Sequence, residues 1–160
     1  MIGHPHSDFS LKNVQGLNTA LVASSWHPEV VELLMQEAST LVENATGKLP
    51  EVFRVSGAYE IPQMVKHLAS TKKFSAIIPL GCLIRGETAH FDLIASTVFQ
   101  SLSTIGCETG TAVSNGILTT DTVTQALDRA NGKKENKGKD AAYSALKLVE
   151  IFEQTKGTIL

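Results

Sequence analysis

Arginine is scarce in this 160-residue chain: only Arg54, Arg85 and Arg129 occur. Lysine and arginine together number 14 against 16 acidic residues, for a formal net charge of -2. That balance argues against a nucleic acid or an anionic membrane surface as the main partner. Cysteine is nearly absent too. Cys82 and Cys107 stand far apart and outside any C-x-x-C pair, which excludes a disulfide framework and reads as two reduced thiols of a cytoplasmic protein. His4 and His6 have no third ligand nearby, so no metal site is expected there. No apolar run approaches a membrane span, and the opening MIGHPHSDFSLKN lacks the apolar core of a secretory signal. There is no internal repeat and no linker. What remains is one soluble domain, 42% hydrophobic and 19% charged, long enough to bury a core unaided.

Residues 1–17 are polar and without period, an extended arm; the domain proper is 18–160. LNTALVAS predicts a buried strand. Pro28 suits the first position of the next helix, where its missing N–H is not needed, and Val30, Leu34, Ala38, Leu41 and Ala45 follow at helical spacing up to Gly47. EVFRVSG predicts a second strand, and AYEIPQMVKHLAS a helix with Pro62 in its first turn. AIIPLG is a third strand, and Phe91, Ile94, Val98, Leu102 and Ile105 stripe a helix that starts near His90. TAVSNGILTT predicts one fourth strand. Thr122 and Gln125 form a capping box for the helix through Ala130, NGKKENKGK is a charged loop, and Ala142, Leu146, Val149 and Phe152 mark the last helix. Strands alternating with helices predict an α/β, doubly wound domain: a four-stranded parallel sheet flanked by helices on both faces.

Ligands of such sheets bind outside the carboxyl ends of the strands. Four segments fall there: Ser24 to His27, Ser56 to Glu60, the 81–90 loop, and Asn115 onward. The third reads GCLIRGETAH, close to the nucleotide-binding pattern G-x-x-x-x-G-K-[ST], but Glu87 stands where the lysine should be. A triphosphate is therefore disfavoured. Two readings stay open, a glycine-bearing turn or a cradle of backbone N–H groups for one small phosphate at a helix start. His90 is either a polar cap or a group exchanging protons near neutrality. Trp26, the only tryptophan, either stacks on a planar ring or covers the adjacent helix. Glu60 suits a first helical turn on dipole grounds alone, and Arg129 and Lys137 read equally as solvated charges.

In order and spacing, four motifs resemble the lumazine synthase family: VSGAYEIP (55–62), GCLIRGETAHFD (81–92), NGILTTDTVTQALDRA (115–130) and NKGKDAA (136–142). With Trp26, the resemblance covers nearly all of the chain after the arm. It implies a flavodoxin-like three-layer α/β/α fold and a transferase that needs no metal or organic cofactor. The implied reaction joins 5-amino-6-(D-ribitylamino)uracil to 3,4-dihydroxy-2-butanone 4-phosphate, giving 6,7-dimethyl-8-ribityllumazine, phosphate and water, the penultimate step of riboflavin biosynthesis.

The resemblance also implies roles. Trp26 stacks on the pyrimidine, Ala58, Tyr59 and Glu60 hold the ribityl chain and ring edge, and Leu83 and Ile84 line the heterocycle pocket. Glu87 and Thr88 present backbone N–H groups to the phosphate, with Arg129 as its counter-charge. His90 shuttles protons, and Lys137 assists charge balance. It implies a homo-oligomer, a pentamer or a 60-mer icosahedral shell, with Asn115 facing a neighbour's site and the arm adding a strand to a neighbour's sheet. Riboflavin synthase is a candidate partner. Three positions depart from common family forms: Ser56 for Pro, His27 for Asn and Asn115 for Phe. A sequestering protein of the same fold, an unrelated flavodoxin-like binding domain and an archaeal-type riboflavin synthase are the competing readings.

Overall fold

Two apolar runs, TALVAS and AIIPLGCLI, form the central strands β1 (Thr19–Ser24) and β3 (Ala76–Ile84). Helices cover both of their faces, so neither strand alternates polar with apolar residues. The computed structural model describes residues 10–132 and 136–156. The histidines at positions 4 and 6 and the start of the arm lie outside them.

The remaining elements follow in the order the periodicity predicts. Helix α1 (Pro28–Thr46) has its proline at the first turn and closes at Gly47, whose left-handed φ of 75° lets its N–H bond the Glu43 carbonyl. The edge strand β2 (Glu51–Val55) leads through a single 3-10 turn (Ala58–Glu60) into α2 (Ile61–Ser70). Helix α3 (His90–Thr109) begins where expected. After it come β4 (Ala112–Val113), β5 (Gly116–Thr120), α4 (Val123–Ala130) and α5 (Lys137–Thr155).

All strands are parallel, in the order β2-β1-β3, and both β4 and β5 pair with the far edge of β3. The single fourth strand predicted over 111–120 is therefore two. β4 pairs with Ala76 and Ile77, β5 with Leu80 to Ile84, and Pro79 falls in the gap. A Cβ on Gly116 would stand 2.8 Å from the Pro79 carbonyl oxygen, so that carbonyl faces the β5 edge. The N–H that proline lacks belongs to the same edge, and the ladder cannot continue past it. Among the described residues the sheet is five strands in four positions.

Alternate residues of β1 feed two cores. Leu21 and Ala23 join Val30, Leu34, Leu118, Ala142 and Leu146 under α1, α4 and α5. Ala20 and Val22 join Ile61, Val65, Val98 and Leu102 under α2 and α3. The first layer is tight. A Cβ on Gly138 would lie 2.0 Å from the Leu34 carbonyl oxygen, so α5 meets α1 backbone to backbone.

The charged loop predicted over 131–139 ends early, because Asn136 caps α5. Its Oδ1 accepts from the N–H groups of Gly138 (2.8 Å) and Lys139 (3.0 Å), while its Nδ2 donates to the carbonyl of Ala130. Residues 10–17 lie against this same layer. Val14 is buried, the Gly16 N–H donates to the Thr46 carbonyl (2.8 Å), and the Lys12 N–H donates to Glu150 (2.9 Å).

Candidate active site

From β1 the chain moves to β2 on one side and then to β3 on the other. The loops leaving β1 and β3 therefore diverge and open a crevice at the switch point. A cleft of about 390 Å³ sits there, walled by Trp26 and His27 after β1, Gly57 to Tyr59 after β2, Cys82 to Ile84 of β3, and His90 and Ile94 of α3. That is the size of a small-molecule site.

The loop carrying Trp26 is fixed from behind, because both the N–H and the hydroxyl of Ser25 donate to the Val55 carbonyl at 3.0 Å. Trp26 itself is 69% exposed. His27 takes a left-handed conformation (φ 55°, ψ 56°) at the N-cap of α1, with Nδ1 3.6 Å from the Glu29 carboxylate. Across the rim, Tyr59 is 55% exposed and Ala58 is buried. Gly57 keeps this corner open: a Cβ there would stand 3.6 Å from Trp26 Cδ1 and 3.2 Å from Glu60 Oε2. One oxygen of Glu60 is committed locally, accepting from the Gly57 N–H at 2.8 Å. At the wall, burial pushes the Cys82 thiol up to about 11, which makes it a poor nucleophile.

The two glycines of the 81–88 motif separate. Gly81 lies inside β3, where a Cβ would press on Ser24 Oγ (3.1 Å) and Ile61 Cδ1 (3.3 Å); it serves packing, and the nucleotide-loop likeness is coincidental. Gly86 is different. No atom lies within 4 Å of its would-be Cβ and its φ is not positive, so nothing in the fold demands glycine there. Openness toward an incoming group is what its missing side chain provides. The next helix start is open too. Its N-cap is Ala89, which has no side-chain acceptor, and among the described residues the side-chain acceptor for its first N–H is Thr88 Oγ1, at a long 3.4 Å from the His90 N–H. Amide donors are thus left at the positive end of a 20-residue helix.

Of the residues singled out in the sequence, the cleft gathers Trp26, Ala58, Tyr59, Leu83, Ile84 and His90. Glu60, Glu87 and Thr88 adjoin it in the chain without lining it. Arg129, exposed on α4, donates from Nη1 to the Gln125 carbonyl (2.9 Å). Lys137 opens α5 and pairs with Asp140 at 3.1 Å. Asn115 stands in the break between β4 and β5, where its Oδ1 accepts from the Ile117 N–H (3.0 Å). Its neighbour Gly116 pairs with Leu80, halfway along β3, so Asn115 is away from the strand-end rim of its own chain. Cys82 and Ile94 were not foreseen as wall residues. Their signals were present in strand alternation with Ile84 and in the one-turn spacing from His90.

Among the described residues no helix is long and apolar enough to cross a membrane, and no group of three or more His, Cys, Asp or Glu could hold a metal.

A family model described as 6,7-dimethyl-8-ribityllumazine synthase matches residues 16–153. Curated proteins of the same name are similar along nearly their whole length. One from Mycobacterium sp. (strain KMS) is 40% identical over 147 residues, 91% of each chain. Another, from Corynebacterium jeikeium (strain K411), is 37% identical over 152 residues, 92% of this chain and 93% of its own. A third, from Syntrophus aciditrophicus (strain SB), is 36% identical over 142 residues, 88% and 92% respectively. With the parallel sheet and its rim cleft in place, the chain belongs to the 6,7-dimethyl-8-ribityllumazine synthase family.

Proposed function

We propose that this protein condenses 5-amino-6-(D-ribitylamino)uracil with 3,4-dihydroxy-2-butanone 4-phosphate to 6,7-dimethyl-8-ribityllumazine, a transferase step of riboflavin biosynthesis. The observation that carries the reading is the rim cleft itself: an exposed indole and His90 share one small cavity beside an uncapped helix start. The indole offers a stacking plane for the pyrimidine, against the apolar wall of Leu83 and Ile84. Ala58, Tyr59 and Glu60 hold the ring edge and ribityl chain, with the Glu60 carboxylate accepting from hydroxyl groups. The phosphate docks on the backbone N–H groups of Glu87 and Thr88 and on the Thr88 hydroxyl, where the open face of Gly86 admits it. Arg129 supplies a planar, bidentate counter-charge, and Lys137 balances charge beside it.

The substrate amine attacks the ketone, water leaves as the imine forms, phosphate is eliminated, and ring closure releases a second water. His90 moves protons through these steps. Holding two reactive partners together contributes most of the acceleration, an effect of roughly 7–11 kcal/mol in favourable cases.

The working form is a homo-oligomer, a pentamer or a 60-mer built from pentamers, in which Asn115 of one subunit closes a neighbour's cleft. Three features support assembly. The rim leaves Trp26 and Tyr59 more than half exposed; β2 is an open edge for an added strand from a neighbour's arm; and α3 turns Leu93, 66% exposed, outward. Its place is the cytoplasm, with riboflavin synthase as the enzyme that takes its product.

Mixing the protein with both substrates and following the lumazine absorbance tests this. Wild type forms product far faster than the uncatalysed mixture, and Arg129→Ala loses about 10- to 100-fold of kcat/KM. A wild-type rate equal to the uncatalysed one refutes the enzyme and leaves a ligand-sequestering protein of the same fold.

A further inference from the structure

Arg85 is a densely engaged cation beside the rim, and no role assigned above uses it. Nη1 and Nη2 donate to the two oxygens of Asp92, each at 2.9 Å, a parallel pair of bonds that fixes the plane of the guanidinium. Nε donates to Asp121 at 3.0 Å. The guanidinium carbon lies 4.3 Å from the centroid of the Phe91 ring. The backbone is pinned as well, since the Arg85 N–H donates to the Thr120 carbonyl at 2.9 Å.

The anchors differ in kind. Thr120 ends β5 and Asp121 follows it directly, so both belong to the sheet side. Phe91 and Asp92 follow His90 directly in the first turn of α3. One guanidinium therefore spans from the sheet to the turn that carries the cleft histidine, gripping that turn by a ring face and a carboxylate together. The pairing holds the Asp92 carboxyl below the usual carboxylate range, so the link is ionised at neutral pH.

Stability does not explain it. Arg85, Asp92 and Asp121 are all exposed, and exposed ion pairs add little to a fold. A bidentate, stacked contact does limit how a helix start can tilt or slide. A lysine cannot substitute, because one ammonium makes neither the fork nor the stack.

We infer that Arg85 is a positioning residue for the proposed reaction, a brace that fixes the first turn of α3, and with it His90, relative to the end of the sheet. The inference rests on the functional reading above. A helix start displaced by about an ångström can cost up to roughly 100-fold in rate.

The test measures kcat, KM for both substrates and melting temperature for wild type, Arg85→Met, Arg85→Lys, His90→Gln and the Arg85→Met/His90→Gln double variant. The expected result is a kcat about 10- to 100-fold lower for Arg85→Met and lower also for Arg85→Lys. KM for the ribitylaminouracil should stay within about threefold, since the pyrimidine and ribityl contacts proposed above lie on Trp26, Tyr59, Glu60 and β3 and not on the braced turn, and melting should shift by less than about 4 °C. In the His90→Gln background the same change should cost under about twofold, because the group being positioned is gone. Asp92→Asn, which spares the stack and the bond to Asp121, gives the same reading if Arg85→Met does not fold. An Arg85→Met kcat within about twofold of wild type overturns the brace and leaves the function standing; so do losses that multiply fully in the double variant. An inactive wild type refutes the functional reading and this inference with it.

Discussion

Replacing Gly138 with alanine sets two ordinary expectations against each other. On helix propensity alone the change helps, by up to about 1 kcal/mol, since Gly138 is the second residue of α5. The contact geometry says otherwise. The new Cβ would fall 2.0 Å from the Leu34 carbonyl oxygen, 2.6 Å from its carbonyl carbon and 2.7 Å from its Cα. All three are main-chain atoms in the interior of α1, with no rotamer to give way. Relief requires moving the two helix backbones apart by more than an ångström, and both are packed into the same core through Leu34, Ala142 and Leu146. Overpacking typically costs about 1–3 kcal/mol, and a clash with main chain belongs at or above the top of that range. Net of propensity, the expected loss is about 2 kcal/mol or more, or some 4–8 °C in melting temperature for a chain of this size. The assay is thermal and denaturant unfolding of both proteins at one protomer concentration, because association would otherwise shift the midpoint. A variant that melts within about 1 °C of wild type, or above it, would refute the packing argument and leave propensity in charge.

Two further outcomes follow from titrating groups. Burial, with Glu29 as a smaller cause, raises the Cys82 thiol to about 11. At pH 8 a thiol reagent should modify at most one cysteine of the native protein, exposed Cys107, and reach Cys82 only on unfolding; because the folded value is the higher one, stability from the neutral thiol is complete below about pH 9 and is lost as pH rises through about 11. Glu150 behaves oppositely. The Lys147 ammonium (2.7 Å), then the Lys12 N–H (2.9 Å), hold its carboxyl below the ordinary range, so its contribution is present at neutral pH and lost as pH falls through the folded value. Glu150→Gln should therefore flatten the acid limb of a plot of denaturant midpoint against pH and speed amide exchange at Lys12; a limb as steep as that of wild type would count against the assignment.

Much of the fold could be read from local chemistry. Pro28 and Gly47 bracket α1, and Thr122 caps α4 by accepting from the Gln125 N–H at 3.2 Å. The reciprocal half of that box differs slightly, because Gln125 Oε1 reaches the N–H of Asp121, one residue earlier than expected. What stayed hidden depended on contacts between distant residues. Pro79 breaks a strand other than its own, so TAVSNGILTT carries no mark of the interruption. NKGK looks like a solvated loop until Leu34, a hundred residues away, makes Gly138 necessary. The site divides in the same way. Trp26 was legible as an aromatic residue at a strand end and His90 as a histidine at a helix start, while Tyr59 acquired a role only through the family resemblance. The brace at Arg85 was not, because Asp92 and Asp121 acquire meaning only once β5 ends beside β3.

The bond from the Lys12 N–H to Glu150 joins residues 138 apart in sequence, near opposite ends of the described chain. Thermodynamically the molecule is closer to a ring than to a thread, with a non-covalent stitch where a peptide bond could be. A circular permutant that links residue 156 to residue 10 through a polar tether, and opens the chain instead at the exposed turn before Phe74, should keep both cores and the cleft. Which residue comes first would then be a matter of synthesis order, with the architecture carried by contacts.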